Sequence, residues 1–291
     1  MPQAADWQVT CGTGSVAAPE SGDSTVCSAE PSPPGPSAAE RRFGGLARLY
    51  GAGASERLAS AHVCVVGIGG VGSWTAEALA RSGIGRLTLI DLDHVAESNI
   101  NRQVLALEST LGASKIEVMR ERIAQIAPGC RVDLVDDFVS ADNADRLIPG
   151  DAWLIDAIDQ PRAKAAMVAL ARSRAQPVIV CGAAGARTDP LALVRGDLAQ
   201  TRGDALLSSV RARLRRDYGF PREPGRRFDV MAIHSTEAPA GQIASAAEPG
   251  AALACAGYGS SVAVTAAMGF AAAAWVIDAI VRPASSRSRR R

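Results

Sequence analysis

Aromatic residues are scarce in this 291-residue chain, at 4%, so small aliphatic side chains must fill its interior. The hydrophobic share of 47% is still ample for a sizeable core. Net charge is nearly absent. With 31 basic and 30 acidic residues the balance is +1, so the overall field does not mark a nucleic-acid binder, and any such site must be a local patch. Six cysteines stand at positions 11, 27, 64, 130, 181 and 255, and no two form a CxxC pair. That argues against a tetrahedral zinc knuckle, and no zinc is expected. Cys64 and Cys181 lie in apolar, strand-like runs and read as inert core thiols. No secretory signal is visible, so the expected location is the reducing cytoplasm.

Internal repeats are lacking as well. The first 38 residues hold 6 of the 16 prolines, many Gly, Ser and Ala, and no hydrophobic period. They read as a disordered tail, 1–38. The last ten, 282–291, contain five arginines and read as a basic tail. One domain is expected over 39–281, with a nucleotide core at 60–183 and a further part at 184–281.

What is present begins with an alternation. A short helix near Glu40–Tyr50 precedes strand 62–66, helix 72–82 and strand 86–91. Helix 114–127, strands 131–136 and 152–156, helix 161–174 and strand 177–181 follow. Short β-branched runs alternating with amphipathic helices predict an α/β fold: a Rossmann-like, doubly wound, mostly parallel sheet, here with a C-terminal extension. Ligands bind such sheets beyond the C-terminal strand ends, where Gly67, Asp91 and Asp159 fall.

The strand His62–Val66 runs into Gly67-Ile68-Gly69-Gly70-Val71-Gly72 and then a helix. This GxGxxG loop lets the backbone turn tightly and approach phosphates, which the helix N-terminus holds through its N–H groups and dipole. Asp91 closes the next strand 19 residues after Gly72, the usual place for an acceptor of ribose hydroxyl bonds. Glycines at a tight strand–helix turn can also serve packing alone.

The glycine loop says only nucleotide. A dehydrogenase needs no further charge around the phosphates. An enzyme that brings a carboxylate to the α-phosphate of ATP needs cations for the phosphates and the departing pyrophosphate. Arg102 offers a bidentate fork and Lys115 a point charge. Asp159, in Asp156-Ala157-Ile158-Asp159, sits at a strand end where it can hold Mg²⁺. Each has an ordinary reading too: a surface arginine, a solvated helix lysine, an N-cap for the helix starting at Pro161.

Gly67–Gly72, Asp91, Asp93, Asn99-x-x-Arg102-Gln103, Lys115 and Asp159 together resemble the ubiquitin-activating-enzyme-like (ThiF/MoeB/HesA) adenylyltransferase superfamily, from about Arg42 to Ala183. The resemblance implies that Gly67, Gly69, Gly70, Gly72, Asp91 and Asp93 hold ATP. It further implies that Asn99, Arg102, Gln103 and Lys115 line the nucleotide and its phosphates, and that Asp159 binds magnesium. Arg102, Lys115 and Asp159 are its catalytic candidates. Arg42-Phe43-Gly44-Gly45, Asp156-Ala157-Ile158-Asp159 and the late Ser235-Thr236-Glu237 resemble the branch that acts on threonylcarbamoyladenosine in tRNA. That branch is implied to activate the threonyl carboxylate with ATP. The neighbouring carbamoyl group then closes a ring and AMP leaves. The alternative within the superfamily is adenylation of the C-terminus of a ubiquitin-like sulfur carrier. No cysteine stands where a thioester would be expected, and ring closure within the substrate needs none. The pattern also implies a homodimer in which an arginine near the N-terminus reaches the partner's ATP. Gly45 takes the usual place of that residue, which leaves Arg48 or Arg42 for the role. Sulfur-transfer protein partners are a further implication.

Residues 195–227 carry nine arginines against four acidic groups. A basic helix-like segment, Arg202–Arg216, suits an RNA backbone, with Arg211, Arg213, Arg215 and Arg216 as tRNA contacts. It also reads as a solvated amphipathic helix. Gly250–Val281 is apolar enough for a membrane span. Its Gly, Ala and Ser content favours a buried or dimer-interface helix, with a peripheral membrane contact as the alternative.

Overall fold

A computed structural model describes residues 37–239 and 259–282. The expected tails therefore lie outside the described residues, apart from Ser37 and Ala38 at one end and Arg282 at the other. Among the described residues, seven strands form one sheet in the order β3-β2-β1-β4-β5-β7-β6. β1 is His62–Val66, β2 Arg86–Ile90, β3 Arg131–Val135, β4 Trp153–Asp156, β5 Val178–Cys181, β6 Leu193–Asp197 and β7 Met231–Ser235. All neighbours are parallel except β6, which runs antiparallel to β7 at the edge. β1 is buried at all five residues, as a central strand covered on both faces must be.

The alternation along each strand divides the interior. Val63 and Val65 join one core with α2 (Ala54–Ala59), α3 (Gly72–Arg81), α4 (Lys115–Ile126) and α8 (Val262–Val281). Cys64 and Val66 join the other, with α5 (Ala144–Leu147), α6 (Pro161–Ser173) and α7 (Ala205–Asp217). The chain changes face between β1 and β4, which opens a crevice at their C-terminal ends. α1 (Ala38–Tyr50) starts at a capping box. Ser37 Oγ accepts from the Glu40 amide at 3.1 Å, and Glu40 Oε2 from the Ser37 amide at 2.6 Å.

The C-terminal stretch is built into this body. β7 extends the parallel sheet, and α8 lies along α3. Val264, Met268, Ala272 and Val276, spaced by four, form a buried stripe on α8. A Cβ on Gly269 would meet the Val71 carbonyl oxygen at 2.6 Å and Trp74 Cβ at 3.0 Å, so α3 and α8 can approach this closely only at glycine. By length and apolarity α8 passes as a membrane span, but half of it is buried inside the protein. Its hydrophobicity fits the favoured reading of a buried helix, and the alternative of a membrane contact finds no support in it.

Candidate active site

A cleft of about 550 Å³ opens beyond β2, β1, β4 and β5. Its floor is the glycine loop. Gly67 has a φ of 87°, a left-handed value that favours glycine. A Cβ on Gly72 would stand 1.7 Å from the Gly67 carbonyl oxygen. The spacing in GxGxxG is thus enforced by the loop folding back on its own backbone. Asp91 clamps the loop from the side: Oδ2 accepts from the Ile68 amide at 2.6 Å and Oδ1 from the Asp93 amide at 2.9 Å. Burial pushes the Asp91 carboxyl above its ordinary range, while the Lys115 charge and these bonds pull it back.

Lys115 is 5% exposed, so it is not a solvated helix lysine. Its Nζ lies 2.7 Å from Asp93 Oδ2 on the cleft wall. Arg102 lines the same wall, with Nη1 donating to the Ser98 carbonyl at 2.7 Å and to Asn101 Oδ1 at 3.0 Å. Gln103 is buried against the cleft with no partner for its Oε1. Asp159 stands exposed at the rim. The residue capping α6 is Gln160, without a side-chain bond, so Asp159 does not serve that helix.

Two predicted nucleotide residues stand apart. Asn99 Oδ1 accepts from the Ala96 amide at 3.1 Å, closing a 3₁₀ turn, and the side chain does not line the cleft. A short polar side chain next to a tight turn satisfies its own backbone first. Arg48 is exposed on α1, away from the cleft of its own chain. Arg42, the other candidate, donates to the Ile126 carbonyl at 3.0 Å and so caps α4. Of the four helical arginines, Arg216 pairs with Asp217 at 2.7 Å. Arg215 Nε donates to the Pro221 carbonyl at 3.1 Å, with its guanidinium 5.1 Å from the Phe228 ring centre. Arg211 donates to Thr201 Oγ1 at 2.5 Å, and Arg213 is half-buried.

The structure adds residues that the sequence reading passed over. Asp156 and Lys164 form a pair at 2.9 Å, each 0% exposed, directly behind Asp159. Lys164 Nζ also donates to the Ile158 carbonyl at 2.8 Å, which fixes the backbone that carries Asp159. Asp204 caps α7 through the Leu207 amide and also accepts from the Ala183 amide at 2.9 Å. Arg187 lines the cleft on the β5 side. The only signal for these was their place just after strand ends or helix starts.

The ThiF family model matches residues 44–290. The chain is 45% identical over 251 residues to the tRNA threonylcarbamoyladenosine dehydratase of Haemophilus influenzae, covering 84% of this chain and 95% of that one. It superposes with a TM-score of 0.75 and 43% identity on the Escherichia coli tRNA N6-threonylcarbamoyladenosine dehydratase in complex with ATP, covering 87% and 97% of the two chains. The same Escherichia coli protein in complex with AMP gives a TM-score of 0.77, at 43% identity and 86% and 97% coverage. These matches run over nearly the full length of the relatives, and the chain belongs to the ThiF family, in its tRNA threonylcarbamoyladenosine dehydratase branch.

Proposed function

We propose that this chain is a cytoplasmic enzyme that uses ATP to cyclise threonylcarbamoyladenosine in tRNA, with loss of one water from the nucleoside. The observation that carries the reading is the cationic wall formed by Lys115 and Arg102 beside the glycine loop. Hydride transfer gives that wall no task. The relatives match over nearly their full length and do not favour adenylation of a protein C-terminus.

The amides of the glycine loop and the N-terminus of α3 hold phosphate oxygens, and Asp91 accepts from the ribose. A carboxylate oxygen of the threonyl group attacks the α-phosphorus. The bond from the α-phosphorus to the bridging oxygen breaks, and pyrophosphate leaves. Lys115 and Arg102 neutralise charge that grows on the phosphates as this happens. The carbamoyl group then attacks the acyl carbon, gives up its proton, and AMP departs. Asp159 fits a magnesium site, because it is a carboxylate at the cleft with no ion pair among the described residues, and Mg²⁺ binds through one or two carboxylates plus substrate phosphates. When bound, the ion would add positive charge at the phosphates. The homodimer reading rests on Arg48, exposed on α1, and on Val262 and Phe270, exposed on the outer side of α8.

Mass spectrometry of tRNA nucleosides after incubation with enzyme and ATP tests the function. The expected result is threonylcarbamoyladenosine lighter by one water, with AMP formed in step; an unchanged nucleoside would refute it.

The arginines of α7 follow from the same reading. The N-terminal residues Ala205 and Leu206 line the cleft, so the helix leads from the reaction centre to the arginine-rich turns. Changing Arg213 and Arg216 to Gln, which spares the Arg215 bond to Pro221, is expected to weaken tRNA binding. It should reduce the slope of log K against log salt by about one to two, with ATP affinity unchanged. A filter-binding titration with an unaltered slope would place the RNA elsewhere.

A further inference from the structure

The cleft has two walls, and the cations of the proposed chemistry occupy only the β2–β1 side. On the β5 side stands Arg187, 4% exposed. One nitrogen, Nη2, donates to the Gly203 carbonyl at 2.8 Å. Among the described residues, its Nε and Nη1 are buried without a hydrogen-bond partner. A buried guanidinium with two unused donors is costly, because those N–H groups have left water and gained nothing. The site around it also favours an anion. The N-terminus of the 13-residue α7 faces the same space through Ala205 and Leu206.

The loop that carries Arg187 is fixed in place. Glu237 accepts from the Thr188 amide at 2.9 Å, the Asp189 amide at 3.0 Å and Thr188 Oγ1 at 2.7 Å. The carboxylate just beyond β7 thereby staples the two residues that follow Arg187. Asp204 is engaged by the amides of Ala183 and Leu207, and Glu237 feels the Arg187 charge while its oxygens bond the Thr188 and Asp189 amides, so among the described residues neither carboxylate pairs directly with the guanidinium.

We propose that Arg187 is the receptor for the substrate carboxylate, its charge and an unpartnered N–H holding the threonyl group of the tRNA nucleoside opposite the ATP phosphates. The proposal rests on the function argued above and adds to it the residue that recognises the reacting group. An anion must be brought against a polyanion, and a cation already buried on the substrate side lowers that repulsion before the reaction begins. It also separates modified from unmodified tRNA, because only the modified nucleoside offers a carboxylate to this buried cation. Specificity of this kind, built on buried donors that need one acceptor, is steep.

The test compares equilibrium binding of two tRNAs, one carrying threonylcarbamoyladenosine and one the plain adenosine, in wild type, R187Q and R187K, with ATP affinity measured alongside. The wild type should prefer the modified tRNA. In R187Q that preference should fall roughly ten- to a hundredfold, the range of a hydrogen bond to a charged group, while ATP affinity stays within twofold. R187K, which keeps the charge without the planar guanidinium and its bond to Gly203, should recover part of it. ATP affinity also reports folding: if R187Q loses it, R187K decides, and an R187K that binds ATP and keeps the full preference overturns the proposal. So does an R187Q that retains the preference. A wild type that dehydrates the nucleoside while all three proteins prefer it equally refutes the role of Arg187 and leaves the function standing. A wild type that neither dehydrates nor discriminates refutes both.

Discussion

Lys115→Ala is expected to lower turnover about 10²–10³-fold while changing the affinity for ATP far less. The asymmetry comes from where charge changes during the reaction. On the proposed reading the loop amides, the α3 dipole and Asp91 hold the nucleotide in the ground state, and the two amide bonds that set Asp91 do not involve the Lys115 side chain. At the transition state negative charge moves onto the departing pyrophosphate. A buried ammonium on the cleft wall then counts for more than it does in water. Removing the lysine leaves Asp93 without its partner, but Asp93 is half exposed, so water solvates it and the fold survives. Asp91 loses the charge that opposes its desolvation, and its carboxyl should rise further. Steady-state kinetics with tRNA substrate, paired with calorimetric ATP binding, separates the two effects. An equal loss in turnover and in ATP affinity would make Lys115 a ground-state contact only.

Lys164→Met should have the largest effect on stability, about 3–5 kcal/mol, because it strips the one cation that pairs, among the described residues, with a carboxylate that is 0% exposed. Asp156 Oδ2 already lacks a partner, so the carboxylate cannot turn to find another donor. Burial raises the Asp156 carboxyl above its ordinary range even with Lys164 present, and without the lysine it must rise further. The sign of the pH dependence follows. A carboxyl with a raised pKa in the folded state binds more protons there than in the unfolded chain. The variant's deficit against wild type should therefore be greatest at neutral pH and shrink as the pH falls through the raised value. A double change, Lys164→Met with Asp156→Asn, should recover much of the loss, since it leaves no unpaired buried charge. Denaturant unfolding at two pH values measures all of this. A deficit independent of pH, or a double variant no better than the single, would show that Lys164 contributes by packing alone.

The sequence made β1 to β5 legible because each is a short apolar run between helices of clear period. The glycine loop was legible because its spacing is a steric necessity. Asp91 and Lys115 were legible as members of a pattern, although burial of Lys115 and the Asp91 clamp on Ile68 could not be read from it. β6 was missed because an edge strand faces water, so Leu193-Val194-Arg195-Gly196-Asp197 lacks both alternation and a continuous apolar run. Lys164 was missed because Pro161-Arg162-Ala163-Lys164 looks like any solvated first turn. Nothing local says that one cation faces water and the other faces Asp156. Arg187 was hidden for the opposite reason. Its importance lies in bonds it does not make, and a sequence shows no unsatisfied donors. Asn99, placed by pattern at the nucleotide, has a local task that the pattern did not show, since its Oδ1 closes its own turn.

The contact between α3 and α8 links the order of synthesis to competence. Thr75 Oγ1 donates to the Gly269 carbonyl at 3.2 Å, and Thr265 Oγ1 to the Arg102 carbonyl at 3.4 Å, while a Cβ on Gly70 would lie 3.2 Å from Thr265 Cγ2. The nucleotide loop and the Arg102 turn, both made early, thus rest on a helix that is the last described element to leave the ribosome. A nascent chain can assemble β1 to β5 before residue 262 is translated, but the underside of its phosphate loop then has no support. Chains arrested short of α8 should therefore consume no ATP and leave tRNA untouched, so that activation begins only in copies that carry this helix.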